Sequence, residues 1–147
     1  MEIITDAHII MPVKDSIDTA EQAIRAIVHS GHTLTVYDDY STPANAAYLD
    51  ALQRDLGIKV IHISDHIDHP SPNYRWVLIN AQKECTKEGK HLIIIESDVI
   101  ISEQTIDKLS NVVSEQVGMV AAVTTDNKGN INFPYEYAKH LQTDGIS

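Results

Sequence analysis

Thr33-Leu-Thr-Val-Tyr-Asp-Asp-Tyr-Ser-Thr-Pro-Ala-Asn-Ala-Ala-Tyr-Leu-Asp-Ala-Leu-Gln-Arg-Asp-Leu-Gly57 is the stretch from which the fold is read. Thr33 to Tyr37 is β-branched and aromatic, the composition of a strand. Asp38-Asp39-Tyr40-Ser41 follows as a polar turn. Thr42 is placed to accept a hydrogen bond from the first turn of a helix, and Pro43 stands at the first helical position, where a missing N–H costs nothing. Ala44, Ala47, Tyr48, Ala51, Leu52 and Leu56 form an apolar stripe at helical spacing, and Gly57 supplies a stop. A strand thus feeds directly into a helix.

The same alternation extends in both directions. Upstream, Ala7 to Val13 reads as a buried strand, with Pro12 placed where no ladder N–H is needed. Asp18 and Glu21 resemble a capping box, and Ala20, Ala23, Ile24, Ile27 and Val28 share one helical face that ends at Ser30-Gly31. Downstream, Ile58 to Ile63 reads as a strand and Ser64 to Pro72 as a loop. A helix from Asn73 to about Lys87 places Tyr74, Val77, Leu78, Ala81 and Cys85 on one side and stops at Gly89. His91 to Ile95 is nearly continuous apolar, the pattern of a central strand buried on both faces. It ends in Glu96-Ser97-Asp98. Ser102 is the expected cap of a fourth helix carrying Ile106, Leu109, Val112 and Val113, and Val117 to Thr124 is expected to be a fifth strand. Ile131 to Ser147 shows no clean period. Alternating strands and helices imply right-handed crossovers, a mainly parallel sheet and helices on both faces, in one domain over residues 1–147.

Composition narrows the function. The 147 residues carry 11 Lys+Arg against 21 Asp+Glu, a formal charge of −10, and no basic cluster is available to neutralise nucleic-acid phosphates. Cys85 is the only cysteine, which excludes an intramolecular disulfide and a thiolate metal cage. A reducing, cytoplasmic setting is expected. The N-terminus has no basic region or long apolar stretch, and no run approaches the roughly 20 apolar residues of a transmembrane helix.

In parallel α/β sheets, ligands bind outside the carboxyl ends of the strands. Three such ends carry polar groups: Lys14 and Asp15, Asp38 and Asp39, and Glu96 with Asp98. Carboxylates gathered at one edge repel one another unless a cation or hydrogen-bond donors compensate. A divalent ion with few protein ligands, of the Mg²⁺ or Mn²⁺ type and shared with a substrate phosphate, resolves that repulsion. Neither G-x-G-x-x-G nor G-x-x-x-x-G-K-[ST] occurs, so no glycine loop competes as a phosphate cradle.

Ile9-Ile10-Met11-Pro12-Val13-Lys14-Asp15, Val36-Tyr37-Asp38-Asp39-Tyr40-Ser41-Thr42 and Ile95-Glu96-Ser97-Asp98 resemble, in order and spacing, the donor-binding half of family 2 glycosyltransferases. The resemblance covers about Ala7 to Val123 and rests on three motifs in register. It implies the three-layer, Rossmann-like GT-A fold and an enzyme that transfers a sugar from a nucleotide-diphospho-sugar donor, UDP-sugar or similar, to an acceptor. By the same resemblance, Pro12, Val13, Lys14 and Asp15 line the nucleotide pocket, Asp39 hydrogen-bonds the base and Asp38 supports its turn. Glu96, Ser97 and Asp98 stand where the family has Asp-x-Asp: Glu96 faces the ribose and Asp98 contacts the Mn²⁺ or Mg²⁺. Asn80 matches a helix asparagine of the family.

This chain departs from the pattern at several positions. Glu96 replaces an aspartate, Tyr40 occupies a position usually held by glycine, and Ile79 stands where arginine is common. No equivalent of the family's downstream catalytic carboxylate is recognisable, so the expectation is part of a longer enzyme, truncated on the acceptor side, with its general base beyond Ser147. Two rival readings of the same sheet are an acidic receiver-like signalling domain and a nucleotidyltransferase. The former puts its acidic pair after the first strand and needs a lysine after the fifth. The latter announces itself by a glycine-rich loop after the first strand, which Met-Pro-Val-Lys-Asp-Ser lacks. His62, His66 and His69, with Asp65 and Asp68, invite a zinc reading, but no recognised ligand spacing is present and a polar donor-side loop is the favoured expectation.

Overall fold

The computed structural model describes residues 7–122, 124–126 and 128–130. They fall into two compact units, one running up to Glu103 and the other starting at Gln104. The first holds strands β1 (Ala7–Val13), β2 (Thr35–Asp38), β3 (Lys59–His62) and β4 (His91–Ile94), with helices α1 (Ile17–His29), α2 (Pro43–Leu56) and α3 (Tyr74–Glu88) between them. All strand pairs are parallel, and the sheet order is β3-β2-β1-β4.

Side-chain alternation gives the sheet two faces. Ile10 and Tyr37 meet Val77 and Ala81 of α3 in a core closed by Ile63, with Ile61, Trp76 and Leu92 packed against it. The Tyr37 and Trp76 rings make an edge contact, centroids 6.3 Å apart. Asp38 and His62 sit opposite one another in the β2–β3 register and lie on the other face, where His62 is bonded to Asp50 of α2. Burial of Ala20, Ala23, Ile24 and Ile27 gives α1 the inward face expected of it.

Several boundaries differ from the sequence reading. Helix α1 begins at Ile17 behind Ser16, whose left-handed φ of 46° makes it the cap residue. Asp18 therefore lies inside the first turn, and Glu21 binds Arg25 and the Tyr48 hydroxyl instead of closing a capping box. On α2 the buried residues are Leu49 and Leu52, while Ala44, Ala47 and Tyr48 are exposed. The larger side chains remove more apolar area from water, so they set the inward face over a rival stripe of alanines. Tyr74 likewise lies outside the buried face of α3, which is Val77, Ala81 and Cys85. Strand β4 is not central: among the described residues it is an edge, with Ile94 38% exposed. A continuous apolar run reports hydrophobicity, not the number of neighbouring strands.

In the second unit, helix α4 (Thr105–Val112) is preceded by Gln104, not capped by Ser102, and starts where its buried pair Thr105 and Ile106 begins. The expected strand over 117–124 does not form among the described residues; Ser114 and Val117 make an isolated antiparallel bridge. Gly118 and two alanines are poor strand formers, and Met119, 89% exposed, buries little apolar area to hold the run extended. Residues 131–147 lie outside the described set.

Candidate active site

The strand order sets the location. From β1 the chain moves outward to β2 and β3, then returns across the sheet to β4 on the other side of β1. The order reverses between β1 and β4, and a crevice opens at such a switch point beyond the carboxyl ends. Pro12 shapes it. The last β1–β4 bond runs from the Ile95 N–H to the Ile10 carbonyl, at 3.0 Å. The next bond of a parallel ladder would run from the N–H of residue 12 to the Ile95 carbonyl, and proline has no N–H to give. The strands part there, with Lys14 and Asp15 leaving one side and Glu96, Ser97 and Asp98 the other.

The β1 and β2 ends are stitched together. Asp39 N–H donates to the Val13 carbonyl at 2.8 Å, and Asp15 N–H donates to Ser41 Oγ at 2.8 Å. Asp15 Oδ1 accepts both the Thr42 N–H and the Asn45 side-chain amide, each at 2.9 Å. These two bonds, the Thr42 backbone first, hold the Asp15 carboxyl below the usual carboxylate range. Lys14 Nζ donates to the Tyr40 carbonyl at 3.2 Å. Asp15, Ser16 and Tyr40 all have left-handed backbones, with φ of 54°, 46° and 61°. Such angles cost a non-glycine residue about 1 kcal/mol or more, and the bonds of this double turn hold them in place.

Asp39 is the hub of the next layer. It is 8% exposed. Its Oδ1 accepts the Asn73 side-chain amide at 2.7 Å, and its Oδ2 accepts both the Asn73 backbone N–H and Ser71 Oγ at 2.8 Å. Asn73 caps α3, so the carboxylate also faces the positive end of that helix. The Tyr40 hydroxyl donates to the Ile67 carbonyl at 2.6 Å. Together these bonds pin the 63–73 segment to the end of β2. The partners Ser71, Asn73 and Tyr40 were not singled out as bonding groups from sequence; the only signal was their placement in a turn and at a helix start.

Asp38, 3% exposed, accepts the Ser41 N–H on Oδ1 at 3.1 Å, and its Oδ2 meets His62 Nδ1 at 2.7 Å. The other ring nitrogen, Nε2, meets Asp50 Oδ1 at 2.7 Å. Burial works against a charge on His62, but the bonds to Asp50 and Asp38 outweigh it and raise the ring pKa. The remaining histidines of this stretch go elsewhere: His66 packs against the Trp76 ring and His69 Nδ1 pairs with Asn73 Oδ1. Among the described residues, no group of three or more His, Cys, Asp or Glu is arranged to hold a metal ion.

At the β4 end, Glu96 and Asp98 are exposed and Ser97 is half-buried. The backbone turns there through a Val99 N–H bond to the Glu96 carbonyl at 3.1 Å. Burial first, then the facing Glu96 carboxylate, raises the pKa of the Tyr74 hydroxyl. Asp98 makes no hydrogen bond or ion pair with another described residue, and its side chain lies exposed past the end of β4. Asn80 Nδ2 turns back to the Trp76 carbonyl of its own helix at 3.4 Å. The sequence-predicted residues therefore divide into three groups. Val13, Lys14, Asp15, Asp38 and Asp39 are bonded into the β1–β2 edge, with Pro12 beside them; Glu96, Ser97 and Asp98 form the opposite lip; Asn80 lies along α3. A cavity of about 220 Å³, lined by His8, Thr35, Gly57 and Lys59 among others, lies at the amino ends of the strands, away from this edge. No helix among the described residues is long and apolar enough to cross a membrane.

No protein-family model matches the chain, and no curated protein matches it. Among solved structures, the crystal structure of S. aureus TarS is similar at a TM-score of 0.50 and 15% identity, over 71% of this chain and 19% of that one. The structure titled S. aureus TarS 1-349 gives a TM-score of 0.49 and 15% identity, over 71% of this chain and 31% of that one. The chain thus corresponds to less than a third of either TarS chain. The likeness is one of architecture: a mixed α/β, Rossmann-like fold with a parallel sheet flanked by helices.

Proposed function

We propose that this chain is the donor-binding part of a glycosyltransferase, taking a nucleotide-diphospho-sugar at the switch-point crevice together with Mn²⁺ or Mg²⁺. The observation that carries the reading is the pairing of a hydrogen-bonded β1–β2 edge with an exposed Asp98 carboxylate across the point where β1 and β4 part. A lone exposed carboxylate suits an ion that takes most of its oxygens from a diphosphate and water. Such an ion would offset the charge of the departing nucleoside diphosphate. Lys14, with an exposed side chain at the same edge, adds a cation for the phosphates. Asp39 spends three acceptor positions on Ser71 and Asn73 and keeps the remainder for an N–H of the base. Activation of the acceptor hydroxyl is assigned to residues outside this set.

The test is thermal. UDP-sugars and other sugar nucleotides with Mn²⁺ are expected to raise the Tm of the chain, and Asp98→Ala is expected to remove that rise while leaving the ligand-free Tm unchanged. No shift with any common sugar nucleotide and metal would sink the proposal.

A further inference from the structure

His62 receives a carboxylate oxygen on each ring nitrogen, Asp38 Oδ2 on Nδ1 and Asp50 Oδ1 on Nε2, both at 2.7 Å. A neutral imidazole has one N–H and so serves only one of two carboxylates; both are served when both nitrogens carry protons. The network does not stop at the ring. Asp38 Oδ1 takes the Ser41 N–H, and Ser41 Oγ takes the Asp15 N–H. An unbroken series of hydrogen bonds therefore runs from α2, through the end of β3 and the end of β2, to the β1 loop.

The two carboxylates are not equivalent. The Asp38 side chain is 4% exposed and that of Asp50 is 44% exposed. Loss of one ring proton thus frees Asp50 into water, while Asp38 stays buried beside a ring that no longer carries a charge. The charged groups acting on His62 are Asp50 from α2 and Asp38 from β2; His62 is 20% exposed at the side chain, which limits solvent as a substitute partner.

We infer that His62 is a positioning residue for the donor site: as an imidazolium held between Asp38 and Asp50, it fixes the Ser41 turn and, through it, the Lys14–Asp15 loop. The inference rests on the proposed donor site for its functional meaning, but its structural core is separable. Protonated His62 keeps the buried Asp38 charge-paired, and a charge-assisted network polarises the bonds further along it. Deprotonation adds one net negative charge to an edge that must accept a diphosphate.

The experiment is an NMR titration of the full chain, following the His62 ring together with the Ser41 and Asp15 amides, alongside nucleoside-diphosphate binding with Mn²⁺ across the same pH range. The expected result is one shared midpoint for the ring and both amides, above that of an ordinary histidine. Asp50→Asn is expected to lower that midpoint and His62→Gln to abolish the amide titration. Nucleotide affinity is expected to weaken several-fold through the same midpoint in the wild-type chain and to become insensitive to pH in His62→Gln. Amides that ignore the ring titration overturn the inference, as does binding that is equally pH-dependent without His62. A shared midpoint in a chain that binds no nucleotide at any pH upholds the network while removing the proposed donor site, so the two failures are distinct.

Discussion

Asp38 and Asp39 are adjacent and both buried, yet their bonding partners make them different residues. Asp39→Ala would strand the Asn73 backbone N–H and take one of the two acceptors of its side-chain amide, which keeps the His69 carbonyl, and a buried donor left without a partner costs about 1–3 kcal/mol. A loss of about 2–4 kcal/mol in urea unfolding is expected for Asp39→Ala, against a change within about 0.5 kcal/mol for the exposed Asp98→Ala. The titrating groups also split by sign. The Asp15 carboxyl is held below the usual range by the Thr42 N–H and the Asn45 amide, so its contribution is present above the ordinary carboxylate pKa and disappears as pH falls through the lowered one. Asp15→Asn is therefore expected to flatten the acid limb of a Tm-versus-pH curve. His62 behaves in the opposite sense: its raised pKa stabilises below the ordinary histidine range, and that contribution is lost as pH rises through the raised value.

Among the elements, α2 shows where sequence patterning misleads. Leu49 is fully buried, whereas Ala47 is exposed. Leu49→Ala is expected to cost about 2–5 kcal/mol by the usual range for buried leucine truncation, and Ala47→Lys to stay within about 0.5 kcal/mol; chemical denaturation of the two variants checks the assignment of the inward face. The strands at Ala7, Thr35, Lys59 and His91 were legible because β-branched runs bounded by turns have few other readings, and Thr42-Pro43 and Gly57 marked α2 through local backbone chemistry. The bonds that build the site were not legible. Ser71 and Asn73 reach Asp39 across more than thirty residues, and no local pattern encodes a contact of that range. His62 was visible as a residue type, but its role depends on the β2–β3 register and on which side of α2 turns inward. The fifth strand failed for a related reason: apolar content alone does not supply a partner to pair with.

At the scale of the whole molecule, the charge of −10 acts as self-repulsion that salt screens over about 10 Å at 0.1 M. The Tm is expected to rise between low salt and several tenths molar NaCl in the absence of any ligand, a trend that calorimetry reads directly. The same charge weighs on the function proposed, because an anionic diphosphate approaches an acidic surface unless a divalent ion accompanies it. Pro12 bears on the shape of that approach. Strands that run side by side tend to close like a zipper for as long as each offers donors to the other, and a crevice between two of them persists only where the zipper is jammed. In this chain the jam is a single missing hydrogen in the middle of the sheet. Pro12→Val would restore it, offer the Ile95 carbonyl a partner, and let β4 follow β1 one step further, drawing Glu96 inward and narrowing the space that Asp98 overlooks.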